Sequence, residues 1–327
     1  MADLRVEIER WPIAGGFTIS RGTRTEAVVV VATLVEGSIW GRGECVPYAR
    51  YGETPEAVAE AIEALRGDLA LGLDRAGLRA RLPGGAARNA VDAALWDLEC
   101  KRTGQRAWDL AGVAAPPTRM VTAETLSIAE PAAMRDKAAA LSDRPLLKVK
   151  VGADGALERI AAVREGAPAS ELIVDANEAW SVDQLRALLP DLARLRVGLL
   201  EQPLPADEDG GLAGLTSPVP LCADESAHTS GDIDRLATLY DAVNIKLDKT
   251  GGLTEALDMA AAARVRGLGL MVGCMVGTSL AMAPATVVAA TADFVDLDGP
   301  VLLGKDRVPA IAYDRGWMSP VPAGLWG

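Results

Sequence analysis

The chain has 327 residues, half of them hydrophobic, and a formal net charge of −12. That is enough apolar sequence for a large core and more than one small domain needs, so a barrel-sized domain plus a smaller one is expected. The acidic balance, with no basic stripe, argues against nonspecific nucleic-acid binding, and no apolar run approaches the roughly 20 residues of a membrane helix.

The first ten residues lack the apolar core of a signal peptide. The four cysteines, Cys45, Cys100, Cys222 and Cys274, are widely spaced and read as reduced thiols, so a cytoplasmic setting is expected. Residues 3–10, 26–36 and 38–44 read as strands, with a loop over 15–25 that carries glycines and two arginines. Thr54-Pro55-Glu56 is a helix start, with Thr as N-cap and Pro at the first helical position. Helices are expected at 74–80 and 86–103; in the second, Ala90, Ala94, Leu95 and Leu98 fall at helical spacing. A meander followed by helices is an α+β unit, and the Pro116-Pro117 stretch within 112–118 reads as a linker.

From about residue 121, short apolar strands alternate with Ala-rich helices. The strands are expected at 123–128, 146–151, 171–175, 197–201, 220–224, 242–247, 268–274 and 294–298. The fold class is therefore α/β: a modified TIM barrel, (β/α)7β, with an N-terminal α+β capping domain. The expected boundaries are 1–115 for the cap, 116–300 for the barrel and 301–327 for a proline-bearing segment returning to the cap. The helix after the eighth strand reads as weak or absent.

The C-terminal ends of the strands carry Thr125, Lys148 and Lys150, Asp175 and Asn177, Glu201, Asp224, Lys246, Cys274, then Asp296 and Asp298. From Thr125 through Lys150 and on to Asp296, one polar residue recurs every 22 to 28 residues. That is the face where barrel enzymes place their sites. Asp175, Glu201 and Asp224 end three consecutive apolar strands. Singly, each would cap a helix or pair with a lysine; together they repel unless a cation binds, and three oxygen ligands suit Mg²⁺. Lys148 and Lys150 share one strand face and Lys246 stands across the barrel. A lysine beside a metal and another ammonium has its neutral form favoured, so two such lysines can remove a proton from one side of a carbon and return it to the other. Salt bridging to the carboxylates is the competing reading, and it suits Asp248 and Lys249, as does simple exposure, better than catalysis does. Thr125 and Cys274 are either pocket-lining or ordinary barrel residues, and His228, the one histidine, caps or packs.

The Lys148-Val149-Lys150 strand, Asp175-Ala176-Asn177, Glu201-Gln202-Pro203, Asp224-Glu225-Ser226 and Asn244-Ile245-Lys246 together resemble the enolase superfamily, muconate-lactonizing subgroup. The resemblance spans nearly the whole chain, including Gly43-Glu44-Cys45 and Ala94-Leu95-Trp96-Asp97-Leu98 in the cap. It implies an isomerase with one Mg²⁺ per subunit, held by Asp175, Glu201 and Asp224, and an enolate formed and quenched by lysine. Asp296-Leu297-Asp298 resembles the dipeptide epimerases, where such a pair holds the substrate ammonium. Ile19-Ser20-Arg21-Gly22-Thr23-Arg24 resembles the capping loop of bacterial L-Ala-D/L-Glu epimerases, which gives Arg24, and less directly Arg21, the glutamyl carboxylate. The implied roles are Lys150 on the L-configured carbon, Lys246 on the D, Lys148 at the carboxylate, and Asn177 behind the metal ligands. The partner is a small dipeptide of murein peptide metabolism; barrels of this family are often oligomeric, so a homo-oligomer is one option, and the sequence does not decide it.

Members of the mandelate racemase and sugar-acid dehydratase types need a histidine base near the seventh strand, and none is present. The remaining rivals are N-acylamino-acid racemisation, o-succinylbenzoate synthesis or cycloisomerisation on the same scaffold, and a catalytically silent barrel that binds acidic peptides. The first group offers no use for Asp296 and Asp298; the second offers none for the two lysines.

Overall fold

The computed structural model describes residues 2–327. The chain begins with an antiparallel meander of β1 (Asp3–Ile19), β2 (Gly22–Glu36) and β3 (Ile39–Cys45). The stretch expected as a loop over 15–25 is instead the outer part of a β1–β2 hairpin. Gly15 and Gly16, at φ +72° and +81°, break the register after Pro12; pairing then resumes with Phe17 opposite Arg24 and Ile19 opposite Gly22. The glycines serve a bulge rather than a loop, and the Phe, Thr and Ile around them keep β-propensity.

Four of the next elements are α1 (Pro55–Glu63), α2 (Arg66–Ala70), α3 (Arg75–Arg81) and α4 (Ala86–Thr103). Thr54 accepts a hydrogen bond from the Ala57 amide, as its N-cap position demands. The short α2 was not expected, because it contains Gly67. Helix α4 lies directly on β3, a contact made possible by glycine. A Cβ at Gly43 would stand 2.1 Å from the Ala90 carbonyl oxygen, and one at Gly41 2.3 Å from that of Ala94. Both obstacles are backbone, so neither can swing aside. Gly43→Ala is therefore expected to destabilise the fold by about 3 kcal/mol; thermal denaturation at fixed pH checks it, and an unchanged midpoint would refute the close-packing argument.

After α5 (Ala107–Ala111) and β4 (Met120–Val121) the barrel starts. It runs β5 (Glu124–Leu126), α6 (Pro131–Ala140), β6 (Leu146–Lys150), α7 (Ala156–Gly166), β7 (Glu171–Asp175), α8 (Val182–Arg194), β8 (Val197–Glu201) and β9 (Leu221–Ala223). It continues with α9 (Ile233–Leu236), β10 (Ala242–Ile245), α10 (Leu247–Thr250), α11 (Leu253–Val265), β11 (Gly269–Gly273), α12 (Ser279–Ala289) and β12 (Phe294–Asp296). The eight strands from β5 to β12 lie side by side in chain order, and their ladders are parallel. Across the seam, the Ala123 amide donates to the Val295 carbonyl at 2.8 Å and the Leu297 amide to Thr122 Oγ1 at 2.9 Å.

Two connections differ from the expected helices. After β8 the chain forms a 3-10 segment, Ala206–Leu212, and after β9 another, Ser230–Asp232, followed by the single turn of α9. Pro203, Pro205 and Gly210-Gly211 leave no uninterrupted helical run in the first. After β12 only a 3-10 turn, Gly299–Leu302, stands where a helix was expected to be weak or absent.

Alternation along the strands sorts the core into layers. Leu147, Val149, Leu172, Val174 and Leu200 face the helices and belong to the large outer core. Ala123, Leu146, Ile173, Leu199, Cys222, Ala242 and Met271 fill the barrel interior as a separate apolar plug. Two residues further along β5 to β9, the same inward face carries Thr125, Lys148, Asp175, Glu201 and Asp224. The tail adds β13 (Tyr313–Asp314) and β14 (Trp317–Met318), which pair with β4 in a small sheet that the sequence did not suggest. The tail also meets the capping domain: the Gly304 amide donates to the Pro12 carbonyl at 2.7 Å, Arg307 pairs with Glu9 and Glu44 of the meander, and Trp326 Nε1 donates to the Ala93 carbonyl of α4. Among the described residues, no helix is long and apolar enough to cross a membrane.

Candidate active site

A cavity of about 320 Å³ opens between the β1–β2 hairpin and the C-terminal ends of the barrel strands. It is lined by Arg21 and Arg24 of the hairpin and by nine of the eleven strand-end residues singled out in the sequence: Thr125, Lys148, Lys150, Asn177, Asp224, Lys246, Cys274, Asp296 and Asp298. The other two, Asp175 and Glu201, are fully buried.

Asp175, Glu201 and Asp224 bring one carboxylate oxygen each to within 4.8 Å of one another. They end β7, β8 and the run after β9. Register aligns them, with Asp175 opposite Glu201 and Glu201 opposite Cys222, two residues before Asp224. Their neighbours hold them in place. The Asn177 amide donates to Asp175 Oδ1 at 2.9 Å, and Asn244 Nδ2 donates to Glu201 Oε1 at 2.7 Å. A Cβ at Gly273 would stand 2.7 Å from that Asn244 amide group, so β11 needs glycine there. Gln202 Oε1 accepts from the Asp224 amide at 2.8 Å, while Gln202 Nε2 donates to Leu204, Ser226 and Tyr240.

The lysines meet this triad. Lys150 Nζ lies 2.5 Å from Asp175 Oδ2. Lys148 Nζ lies 2.7 Å from Glu201, 2.8 Å from Asp296 and 3.1 Å from Asp175. Lys246 Nζ lies 2.6 Å from Asp224 Oδ2. Burial works against charge on Lys148 and Lys246, but the surrounding carboxylates outweigh it and hold both ammoniums well above the ordinary lysine range. With no cation among them, these carboxylates attract each of the two ammoniums more strongly than the other ammonium repels it. The carboxylates in turn repel one another. Burial, reinforced by Asp175 and Asp224, pushes Glu201 up to about 8. A divalent cation answers that repulsion, and the donor set of three buried, hard oxygens from adjacent strands fits Mg²⁺.

Lys249 and Asp248 are both buried, so exposure does not describe them. Lys249 Nζ donates to Asp224 Oδ1 at 2.6 Å, to the Asp224 carbonyl and to the Asn244 carbonyl at 3.0 Å. Asp248 accepts from the Val46 amide and from Asn89 of α4. His228 hydrogen-bonds the Glu225 carbonyl and meets the Tyr51 ring edge-on, which is packing.

On the opposite wall, Asp296 gives one oxygen to Lys148 and leaves Oδ1 without a hydrogen-bond partner. Asp298 accepts the Thr125 amide at 2.8 Å. Burial and the Asp296 charge push the Asp298 carboxyl up to about 7. At the hairpin, the two arginines divide. Arg21 is committed to protein partners: Glu225 at 2.8 Å, Glu178 at 3.2 Å, the Tyr48 hydroxyl at 3.0 Å and the Asn177 carbonyl at 3.1 Å. Arg24 lies over the Tyr48 ring at 5.1 Å, and its guanidinium makes no ion pair among the described residues. The sequence singled out neither Glu178, Glu225, Gln202 nor Tyr48 as an individual site residue; only Gln202 and Glu225, inside quoted motifs, gave a usable signal.

Two family models cover most of the chain. One, an enolase C-terminal domain-like model, matches residues 133–302; the other, a mandelate racemase / muconate lactonizing enzyme N-terminal domain, matches residues 1–112. The chain is 46% identical to the L-Ala-D/L-Glu epimerase of Escherichia coli (strain K12), over 97% of this chain and 99% of that one. It is 44% identical to an N-acetyl-D-glutamate racemase of a Pseudoalteromonas species, over 91% and 95%. A crystal structure of an enolase family member from Agrobacterium tumefaciens, with homology to dipeptide epimerases and with bound sodium and L-Ala-L-Glu, superposes with a TM-score of 0.97 at 51% identity over the whole of both chains. A dipeptide epimerase from Enterococcus faecalis, complexed with Mg and L-Leu-L-Tyr, superposes with a TM-score of 0.91 at 27% identity, over 99% and 98%. With both domain models in chain order, and the carboxylate triad and lysines gathered at one barrel mouth, the chain belongs to the enolase superfamily, in the family of mandelate racemases and muconate lactonizing enzymes.

Proposed function

We propose that the protein is a Mg²⁺-dependent dipeptide epimerase that interconverts L-Ala-L-Glu and L-Ala-D-Glu by proton transfer at the carbon beside the C-terminal carboxylate. The observation that carries this reading is the facing pair of lysines, Lys150 on β6 and Lys246 after β10, with the buried triad between them. Asp175, Glu201 and Asp224 would hold one Mg²⁺ per subunit. Bound there, Mg²⁺ would supply positive charge that acidifies the α-hydrogen of a neighbouring substrate carboxylate and offsets the attraction that keeps Lys246 protonated.

The chain's own residues do the rest. Lys150 takes the proton from the L isomer while Lys246 delivers one to the opposite side, and the roles reverse for the D isomer. Lys148, wedged among Asp175, Glu201 and Asp296, stays charged and holds the substrate carboxylate. Asp296 and Asp298 take the ammonium of the N-terminal residue, and Thr125 fixes Asp298 through its amide. Cys274 lines the space beside that residue. Asn177 steadies Asp175. Arg24 meets the glutamyl side-chain carboxylate. The setting that fits such a substrate is cytoplasmic metabolism of murein peptides.

Incubation with L-Ala-L-Glu and L-Ala-D-Glu in D₂O with Mg²⁺, followed by ¹H NMR, tests the reading. Deuterium is expected at the glutamate α-carbon from either isomer, and no exchange from either would refute it. Arg24→Ala is expected to raise KM for L-Ala-L-Glu about tenfold or more, with a smaller effect on kcat, since it removes an exposed charge pair distant from the reacting carbon. Steady-state kinetics check this, and an unchanged KM would remove Arg24 from the site.

The N-acylamino-acid racemase reading keeps one observation in its favour, the 44% identity to an N-acetyl-D-glutamate racemase. It leaves the two aspartates of the far wall without a task.

A further inference from the structure

We propose that Glu178 is the post on which both capping loops close over the cavity, and that it thereby positions Arg24; the second half rests on the reading of Arg24 given above. Glu178 follows Asp175 by three residues, at the barrel rim. Its carboxylate takes a forked pair of hydrogen bonds from Arg50, at 2.9 and 2.8 Å, and a third from Arg21 at 3.2 Å. The Ala206 amide donates to the same carboxylate at 2.9 Å, from the connection that follows β8. Arg21 is at the tip of the β1–β2 hairpin, and Arg50 lies in the 3-10 segment Ala49–Tyr51 beside Tyr48. One barrel carboxylate therefore receives the two segments of the N-terminal unit that cover the cavity.

The backbone beneath it is unusual. Asn177 and Glu178 both have positive φ, 45° and 66°. Asparagine tolerates that conformation, but glutamate rarely adopts it. It persists because its surroundings over-determine it. The Glu178 amide donates to the Gln202 carbonyl at 2.9 Å, and the Asn177 amide to Asp175 Oδ1. The reversal presents the Asn177 carbonyl to Ser20 Oγ and to Arg21, each at 3.1 Å, so the hairpin tip is held by backbone and side chain together. Arg24 depends on this arrangement. Its guanidinium lies on the Tyr48 ring, the Tyr48 hydroxyl accepts from Arg21, and the Tyr48 segment is tied down through Arg50. Glu178 is not itself part of the cavity lining and reaches it only through Arg21 and Arg50, so its role is positioning.

Glu178→Gln tests this in the full-length protein. Hydrogen–deuterium exchange is expected to speed up about tenfold or more across residues 17–24. The preference for L-Ala-L-Glu over L-Ala-L-Ala, measured as a ratio of kcat/KM, is expected to fall about tenfold. Mg²⁺ affinity by calorimetry should stay within about threefold of wild type, since the triad keeps its own partners. Arg50→Gln, a half-exposed position on the capping side, should show the same two changes at smaller amplitude and remains usable if Glu178→Gln fails to fold. Unchanged exchange over 17–24 in a folded variant would overturn the post. Faster exchange with the glutamate preference intact would overturn the positioning of Arg24. Wild-type protein inert toward both dipeptides would instead count against the epimerase reading, and the exchange measurement would still decide the post.

Discussion

Replacing Lys150 by alanine is expected to abolish solvent exchange at the α-carbon of L-Ala-L-Glu, by about 10³-fold or more, while L-Ala-D-Glu still exchanges without inverting. Lys246→Ala is expected to do the reverse, and either variant should lose net epimerisation. β6 and β10 are four strands apart in a barrel of eight, so their inward side chains face each other across the mouth. Each lysine is tied to a different carboxylate, Lys150 to Asp175 and Lys246 to Asp224, and so is fixed on its own side. A carbon held between them presents one face to each. In the Lys150 variant, Lys246 still removes the proton from the D isomer and returns a deuteron to the same face. Integration of the α-proton signal in D₂O for each isomer, with polarimetry for inversion, checks both halves. Equal loss of exchange from both isomers in a folded single variant would contradict the two-sided scheme.

The lysines and the triad were legible because two independent periods agreed: two residues within each strand and one recurrence per strand–helix unit. Lys148, Asp175 and Glu201 each follow by two residues an apolar residue of the barrel plug, Leu146, Ile173 and Leu199. That alternation is written locally, and it fixes which face a side chain shares. The capping side was not written locally. Glu178 meets Arg21 across 157 residues and Arg50 across 128; Glu225 meets Arg21 across 204. A lone surface-type charge carries no periodic mark, so nothing in the sequence separates Glu178 from an ordinary solvated glutamate. For Lys249 the sequence leaves salt bridging and exposure side by side, and the structure shows the salt bridge, to Asp224. This lysine sits in a short turn, α10, where neither strand nor helix periodicity assigns a face, yet all three of its acceptors lie inside the barrel. The 15–25 hairpin was misread because its glycines signal a turn as strongly as they signal a bulge.

Asp298→Asn is expected to lower kcat/KM for L-Ala-L-Glu by about 10²-fold or more, and to change turnover of N-acetyl-glutamate far less. Asp296 and Asp298 are both buried, and among the described residues Lys148 is the one lysine that pairs with either of them. That lysine is shared with Asp175 and Glu201, and Asp296 Oδ1 lacks a hydrogen-bond partner, so the wall has room for a further cationic donor. A dipeptide ammonium placed there supplies a positive charge and protons for that oxygen. An N-acyl group brings no charge and would leave the acids repelling each other. The same wall gives a pH limb. With Asp298 titrating near 7, acidification neutralises it, and the attraction for an ammonium falls. KM for the dipeptide should rise as pH drops below 7, by up to about tenfold per unit for one proton, and level off above it. The Asn variant, already neutral, should lose that limb. Kinetics between pH 5.5 and 8.5 (roughly the span over which one such group titrates) with both substrates decide the matter. Wild-type protein that turns over N-acetyl-glutamate as fast as L-Ala-L-Glu, with no effect of Asp298→Asn on either, would show that this wall does not bind an ammonium and would move the assignment to the racemases.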